Sequence, residues 1–444
     1  MVENIVLITV DSLRFDSIQL ESSKQGVLSS LGGSSVSFSN AYATGPGTTP
    51  SFPALLTGTL PLSYDGLGAL ADARPRVSEL LRKGGLTTAA FQCNPFLSAH
   101  FNYDDGYNKF KDYQNPLMGI ATKVFPRGIE INNPKLRRID DTLHLTDAIK
   151  KTYQLVKGKP RPYVSADIIT DDTINWLSQT GTPFFCWTHY MDVHHPCFPP
   201  EEYRDRHGVK DVSQTEVSDW YSALLRNPET LSNEEIQDLK DLYSAAVEFT
   251  DEQIGRIIDH LKDSERYEET LVIITSDHGE LFGEYGKYGK PERMYDELLH
   301  VPLIVANGPE YLNDAKDQLV SLLDIPPLIH NALGLEIPEE YEGQIPGVNE
   351  AREYIIAEHE VEGEVIVGAR SSDWLYEGDE INDEHRLFDL RDGNFEQVER
   401  DHAEAETVRN AVLERLDELD VEAQYLQGEI NGGVENRLED LGYL

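Results

Sequence analysis

Three apolar runs in this 444-residue chain each stop abruptly at polar or charged side chains, and no other feature narrows the fold as much. They are NIVLITVD (residues 4–11), PFFCWTHYMD (183–192) and LVIITSDHGE (271–280). A half-exposed strand would alternate apolar with polar residues, and these runs do not. Rich in β-branched and aromatic residues and short, each reads as a strand buried on both faces, as in a parallel sheet covered by helices. RVSELLRKGG (76–85) reads as a helix stopped by glycine, and LTTAAFQ (86–92) as the strand after it. LKDLYSAAVEFTDEQIGRIIDHLKD (239–263) spaces its apolar residues by three and four, as a long amphipathic helix does. Strands alternating with helices predict an α/β fold, a doubly wound and mostly parallel sheet flanked by helices. Such sheets bind ligands beyond the carboxyl ends of their strands. Asp11, the segment from His189 to His195, and Asp277–His278 are therefore expected to converge on one crevice.

Two polar, charged stretches, residues 112–160 and 200–235, read as irregular insertions near that crevice. After LLDIPPLIHNALGLEIPEE (322–340) the pattern changes. EYIIAEHE (353–360), EVIVGARSSDWLYEG (364–378) and HRLFDLRDG (385–393) read as antiparallel strands, and ETVRNAVLERLDEL (406–419) as a closing helix. The expected division is a large α/β domain over residues 1–345 and a smaller C-terminal α+β domain over 346–444.

The charge balance sets the chemistry these strands can serve. Asp and Glu number 79 against 38 Lys and Arg, a net charge of −41, while 39% hydrophobic residues supply a core. The acid is spread along the chain, as in EEYRDRHGVKDVSQTEVSD (201–219), and Lys is scarcer than Arg at 16 to 22. This is the composition of a protein from a salt-in halophile, where salt screens the repulsion between carboxylates. It excludes nucleic acid as a partner, since phosphate backbones need a basic footprint. A small anionic substrate would need a focused positive site such as a metal ion. Cys93, Cys186 and Cys197 are too few and too scattered for a disulfide framework or a thiolate zinc site. MVENIVLITVDS lacks the basic region of a signal peptide, and no window approaches the 18 apolar residues of a membrane span. A cytoplasmic protein without a membrane partner is expected; a homo-oligomer stays open.

GPGTTPSFPALLTG (45–58) carries the sharpest chemical signal. Its small residues, prolines and hydroxyls suit a turn and a helix cap. A helix N-terminus also stabilises an anion and suits a nucleophile, which would make Thr48 the attacking hydroxyl. SDHGE (276–280) offers Asp277 and His278, and HYMDVHHP (189–196) offers His189, Asp192, His194 and His195. Each has an ordinary structural reading as a cap, turn or core residue. Together, Asp11, Asp277 and His278 supply hard oxygen and borderline nitrogen ligands for a divalent cation. His194 and Lys290, from GKYGKPERMYDE (286–297), suit the oxygens of a tetrahedral anion.

These segments resemble the sulfatase family of the alkaline phosphatase superfamily. The resemblance rests on ITVDSLRFD (8–16), TTPSFPALLTG (48–58), FCWTHYMDVHHPCFPP (185–200) and LVIITSDHGELFGEYGKYGKPERMYDELLHVPLIV (271–305). GARSSDWLYEG (368–378), HRLFDLRDGNFEQ (385–397) and RLEDLGYL (437–444) extend it to the last residue. It implies an alkaline-phosphatase-like fold and one divalent metal ion on Asp11, Asp277 and His278: calcium, magnesium or manganese ahead of zinc. It implies Thr48 as nucleophile, His194 and Lys290 as its catalytic partners, and Arg14, His189 and His300 on the substrate side, with Arg14 as a supporting residue. The departures are as informative. Classical members oxidise a Cys or Ser to formylglycine, a route closed to threonine, so no formylglycine is expected here. The arginine of that modification signature is Phe52, and the second aspartate of the usual pair is Ser12. The expected activity is hydrolysis of a small phosphate or sulfate ester. Two alternatives remain open: a phosphoryl-group transferase, whose relatives are usually membrane-embedded, and an inactive homologue that only binds.

Overall fold

The computed structural model describes residues 2–21, 26–28, 31, 35–64, 67–113, 163–361, 364–379, 384–391, 395–400 and 402–419. All but two residues of the first expected insertion, and the RLEDLGYL segment, lie outside them.

Among the described residues the main sheet has seven strands: β1 (Asn4–Val10), β2 (Ser35–Phe38), β3 (Thr87–Phe91), β4 (Lys109–Lys111), β5 (Phe184–Tyr190), β6 (Thr270–Ser276) and β7 (Leu303–Ala306). Their order across the sheet is β2-β7-β6-β1-β5-β3-β4. All neighbours pair in parallel except β7, which runs against both β2 and β6. All seven residues of β1, β5 and β6 are buried, so these strands have two covered faces. The period of two sorts β1 accordingly. Val6, Ile8 and Val10 enter one apolar cluster, and Ile5 and Leu7 enter another. The first cluster is closed by α3 (Ala166–Gln179) and α4 (Asn233–Asp263), the second by α1 (Thr48–Thr57) and α2 (Val77–Lys83). Each fully buried Ile, Leu or Val contributes about 1.5–3 kcal/mol relative to exposure, so both faces are strongly held.

The helix expected from Leu239 begins earlier, at Asn233. Ser232 Oγ accepts from Glu235 N at 3.2 Å, and Glu235 Oε2 accepts from Ser232 N at 2.7 Å. The second expected insertion is not irregular. It folds into helices Glu201–Arg206 and Gln214–Arg226, the latter with its own capping box from Ser213 and Glu216. Val217, Tyr221 and Leu224 are its buried stripe, and that spacing of four and three is a helix signal that the surrounding charge obscures.

Beyond the main sheet, β8 (Ile355–Val361), β9 (Glu364–Arg370), β10 (Trp374–Asp379), β11 (Glu384–Asp389) and β12 (Glu396–Val398) form an antiparallel sheet in sequence order. One face is covered by α5 (Glu406–Glu418), which buries Val408, Ala411, Val412 and Leu416. The other face packs Ile355, Ala357, Ile366 and Leu375 against Tyr42, Met294 and Leu299.

Candidate functional site

Adjacent strands bring the two aspartates together. Val10 of β1 pairs in register with Ser276 of β6, so the next residues, Asp11 and Asp277, emerge side by side from neighbouring strands. The Asp11 amide donates to the Tyr190 carbonyl of β5 at 2.9 Å, which ties the third strand end to the same point. Ser12 follows with φ 60°, a left-handed value uncommon for a residue with a side chain. That turn aims its amide at Asp277 Oδ1, 3.2 Å away, and lets its hydroxyl donate to Asp11 Oδ1 at 2.9 Å. Ser12 thus orients both carboxylates.

Thr48 arrives as the first residue of α1. The loop before it is pinned: Thr44 Oγ1 donates to the Pro50 carbonyl at 2.9 Å and Ser51 Oγ to the Gly45 carbonyl at 3.1 Å. A Cβ on Gly45 would meet Pro50 Cβ at 2.4 Å and the Glu358 carbonyl at 2.6 Å, so glycine is required there. The Thr48 hydroxyl donates to Asp11 Oδ2 at 3.3 Å and lies 3.4 Å from His278 Nε2.

His278 is oriented by its other nitrogen. Nδ1–H donates to the Gly279 carbonyl at 2.7 Å, leaving the Nε2 lone pair facing Asp11 Oδ1 at 3.6 Å and Asp277 Oδ2 at 3.5 Å. Burial, and then the charge of Lys290, push its imidazole down to about 4, so the ring is neutral. Burial and the facing Asp11 raise the Asp277 carboxyl well above its usual value. Two carboxylates brought this close in the interior call for a positive charge between them. One ligand atom each from Asp11, Asp277 and His278 lie within 4.8 Å of one another. Asp277 Oδ2 is buried with no hydrogen-bond partner among the described residues, the mark of an oxygen shaped for something other than protein. The three residues therefore fit a divalent cation.

The other expected residues divide. His194 and Lys290 meet: Lys290 Nζ is 2.7 Å from His194 Nε2, while His194 Nδ1–H donates to the His195 carbonyl at 2.5 Å. His189 joins the aspartates. The Trp187 indole donates to Thr9 Oγ1 at 3.0 Å, freeing the Thr9 hydroxyl to donate to His189 Nδ1 at 2.9 Å. The proton then sits on His189 Nε2, 3.5 Å from Asp11 Oδ2. Arg14 is taken up by the protein instead: it forks onto Asp16 at 2.9 and 2.6 Å and holds Glu284 at 2.7 Å and the Glu280 carbonyl at 2.9 Å. Those contacts give it a bracing role. His300 is engaged away from the aspartates, stacked between Phe15 at 4.0 Å and Tyr42 at 4.8 Å, with Nε2 at 2.9 Å from the Ser39 carbonyl.

One partner went unread in the sequence. Asn94, fully buried just beyond the end of β3, donates from Nδ2 to Asp11 Oδ2 at 2.9 Å while its Oδ1 accepts from Phe96 N at 3.0 Å. It makes β3 a fourth strand whose end reaches the site. Its signal is weak, an Asn before Pro that reads as an ordinary turn. Phe52 occupies its position by packing: it is fully buried, edge-on to His189 at 5.1 Å and against Trp187 at 5.6 Å.

Comparison with known proteins identifies the family and the fold. The sulfatase family model matches residues 3–335. The uncharacterized sulfatase YidJ of Escherichia coli (strain K12) is 30% identical over 200 residues, covering 41% of this chain and 39% of that one. Arylsulfatase K of Bos taurus is 28% identical over 201 residues, 39% and 37% of the two chains. The chain thus spans about two fifths of the length of these two relatives. Choline-sulfatase of Rhizobium meliloti (strain 1021) is 23% identical over 432 residues, covering 87% of this chain and 80% of that one. Among solved structures, the phosphonate monoester hydrolase of Agrobacterium radiobacter superposes with TM-score 0.65 at 18% identity, over 95% and 96% of the two chains. That of Silicibacter pomeroyi gives 0.67 at 20%, over 94% and 95%. At these identities the likeness is one of fold.

Proposed function

The chain belongs to the sulfatase family, and on that premise we propose that it is a metal-dependent hydrolase of small phosphate or sulfate esters, with unmodified Thr48 as nucleophile. The observation that carries the reading is the position of the Thr48 hydroxyl. It sits at a helix N-terminus, within 3.3–3.4 Å of both Asp11 Oδ2 and His278 Nε2, so the attacking oxygen lies beside the atoms that would hold the cation, where loss of its proton to solvent would be favoured. Asp11, Asp277 and His278 would hold the divalent cation, which when bound supplies charge to neutralise the ester oxygens and favour the threonine alkoxide.

The protein's own residues account for the remaining steps. Thr48 Oγ forms a bond to phosphorus or sulfur as the ester oxygen departs, giving a threonine ester and an alcohol. Lys290 faces the oxygens of the transferring group and carries a proton for the leaving oxygen. His189 offers Nε2–H toward the same crevice. Asn94 and Ser12 keep Asp11 from rotating. Water then attacks the phosphorus or sulfur of the threonine ester and returns the hydroxyl. A phosphothreonine hydrolyses by this route. Formylglycine instead eliminates its sulfate through a second hydroxyl that threonine lacks, so the reading leans toward phosphate esters. Both sequence departures are absorbed: Ser12 hydrogen-bonds Asp11, and Phe52 is packed among aromatic rings rather than leaving a gap. No described helix is long and apolar enough to cross a membrane.

Chromogenic phosphate monoesters, phosphate diesters and sulfate esters, screened against a panel of divalent metals, test the proposal. Turnover of an ester with metal, lost in Thr48→Ala, is the expected result. Full activity in a chelator would remove the metal from the reading, and full activity of Thr48→Ala would remove the nucleophile.

A further inference from the structure

The segment that bears Lys290 rests on the C-terminal antiparallel sheet. Met294 N donates to Glu377 Oε2 at 2.9 Å, and the Arg293 guanidinium approaches Glu377 Oε1 at 3.8 Å. Glu377 lies in β10, 3% exposed, and its Oε1 also accepts from Arg386 of β11, from Nε at 3.1 Å and from Nη2. Two residues further on, Asp296 receives Arg370 of β9 at 2.9 and 3.3 Å, and the same guanidinium lies over Tyr42 at 4.1 Å. Between these anchors the Met294 side chain inserts into the sheet face at Gly368, where a Cβ would meet Met294 Cγ at 2.9 Å. Tyr295 and Tyr285 close the contact, their rings tilted against Phe395 at 5.6 and 4.9 Å.

The physical question is why a buried carboxylate stands there. Apolar packing of Met294 would hold the segment against the sheet without fixing its register along it. A carboxylate that accepts a backbone N–H and the Arg386 guanidinium, with the Arg293 charge 3.8 Å away, fixes both position and direction. We propose that Glu377 is a positioning residue for Lys290: the C-terminal sheet sets where the Lys290 ammonium meets His194 and the transferring group. Met294 is four residues from Lys290, with Pro291 stiffening the link, so a shift at the Glu377 anchor is passed to Nζ. The proposal rests on the reading of Lys290 as the group that faces the ester oxygens.

A double-mutant cycle tests it with Glu377→Gln and Lys290→Ala. Glutamine keeps the shape of glutamate, but its one oxygen can serve either Met294 N or the guanidinium side, and its NH2 opposes the donors on the other. Glu377→Gln should lower kcat/KM about tenfold or more with Lys290 present, and less than about twofold with Lys290→Ala. An equal loss in both backgrounds, or no loss in either, overturns the proposal. Hydrogen–deuterium exchange reads the same anchor without turnover. Residues 287–296 should exchange faster in Glu377→Gln while residues 270–276 keep their wild-type rate. Unchanged exchange at 287–296 overturns the proposal by itself. Wild-type protein that turns over no ester fails the hydrolase reading, and the exchange result still decides whether Glu377 anchors the segment.

Discussion

Nζ of Lys290 stands 2.7 Å from Nε2 of His194, whose other nitrogen is already spent on the His195 carbonyl at 2.5 Å. A ring that donates from Nδ1 presents a bare lone pair at Nε2, so the ammonium donates and the imidazole accepts. Burial, and then the Lys290 charge, push the His194 imidazole well below its usual pKa, which keeps it neutral. Lys290 therefore donates to an uncharged imidazole. Lys290→Ala is expected to cost roughly 2–4 kcal/mol in kcat/KM, the range for losing one donor to a developing anion. Metal affinity by titration calorimetry should stay at the wild-type value. A fall in metal affinity matching the fall in activity would show that Lys290 serves the carboxylates instead.

Thr48 is expected to carry no modification. Trypsin cuts after Lys24 and Arg76, since Pro75 protects Arg74, and the peptide between should have its encoded mass. Thr48→Ala removes the attacking oxygen and no charge, so turnover should fall about a thousandfold or more with metal binding and fold intact. Residual turnover near the wild-type rate would point to direct attack by water, with Thr48 reduced to a helix-start residue.

Asp277→Asn separates the cost of the carboxylate from its use. A neutral amide is a poor ligand for a hard cation, so metal affinity and activity should fall together. Wild-type protein should gain about 2.7 kcal/mol from metal at a hundredfold excess over Kd, and the variant far less. In a chelator the order reverses, because the substituted amide no longer sets a second buried negative charge against Asp11. Melting curves with metal and with chelator check both halves. A variant that is destabilised equally in the two conditions would mark Asp277 as structural.

The strand ends were legible because β1, β5 and β6 are covered on both faces, so their apolar runs end only where the sheet ends. That is why Asp11, Asp277 and His278 read as neighbours from the sequence alone. What the sequence hides is what lies across the chain. Asn94 looks like a turn residue, and nothing local says that its amide reaches Asp11. β7 is a short apolar run like its neighbours, and strand direction is set by the path of the connecting chain, not by composition. The acidity of residues 200–235 masks the stripe of Val217, Tyr221 and Leu224, though the Ser–Glu spacing at Ser213 and Glu216 is a cap signal. Glu377 is legible only as one more acid among 79 until the sheet buries it beside Arg293 and Arg386.

The charge of −41 should make folding depend on salt. Many of the carboxylates are on the outside and close together: Glu201, Glu202 and Asp205 are exposed on one short helix, and Glu406, Glu414, Asp417 and Glu418 on α5. Arg206 pairs with Glu202 and Arg415 with Glu418, but over the chain 38 Lys and Arg face 79 acids, and several guanidinium groups are committed inside, Arg14 to Asp16 and Glu284 and Arg370 to Asp296. Unfolding spreads these charges apart, so repulsion favours the unfolded chain wherever it is not screened. At 1 M salt the screening length falls to about 3 Å, shorter than most separations between surface carboxylates. Melting temperature should therefore rise by several degrees or more from dilute buffer to molar potassium chloride. Sucrose at matched osmolality separates screening from preferential exclusion, because it strengthens burial without shielding charge. A larger effect of potassium chloride than of sucrose is the expected result. Equal melting temperatures in dilute buffer and molar potassium chloride would mean that the carboxylates repel too weakly to matter, and the halophilic reading of the composition would be lost.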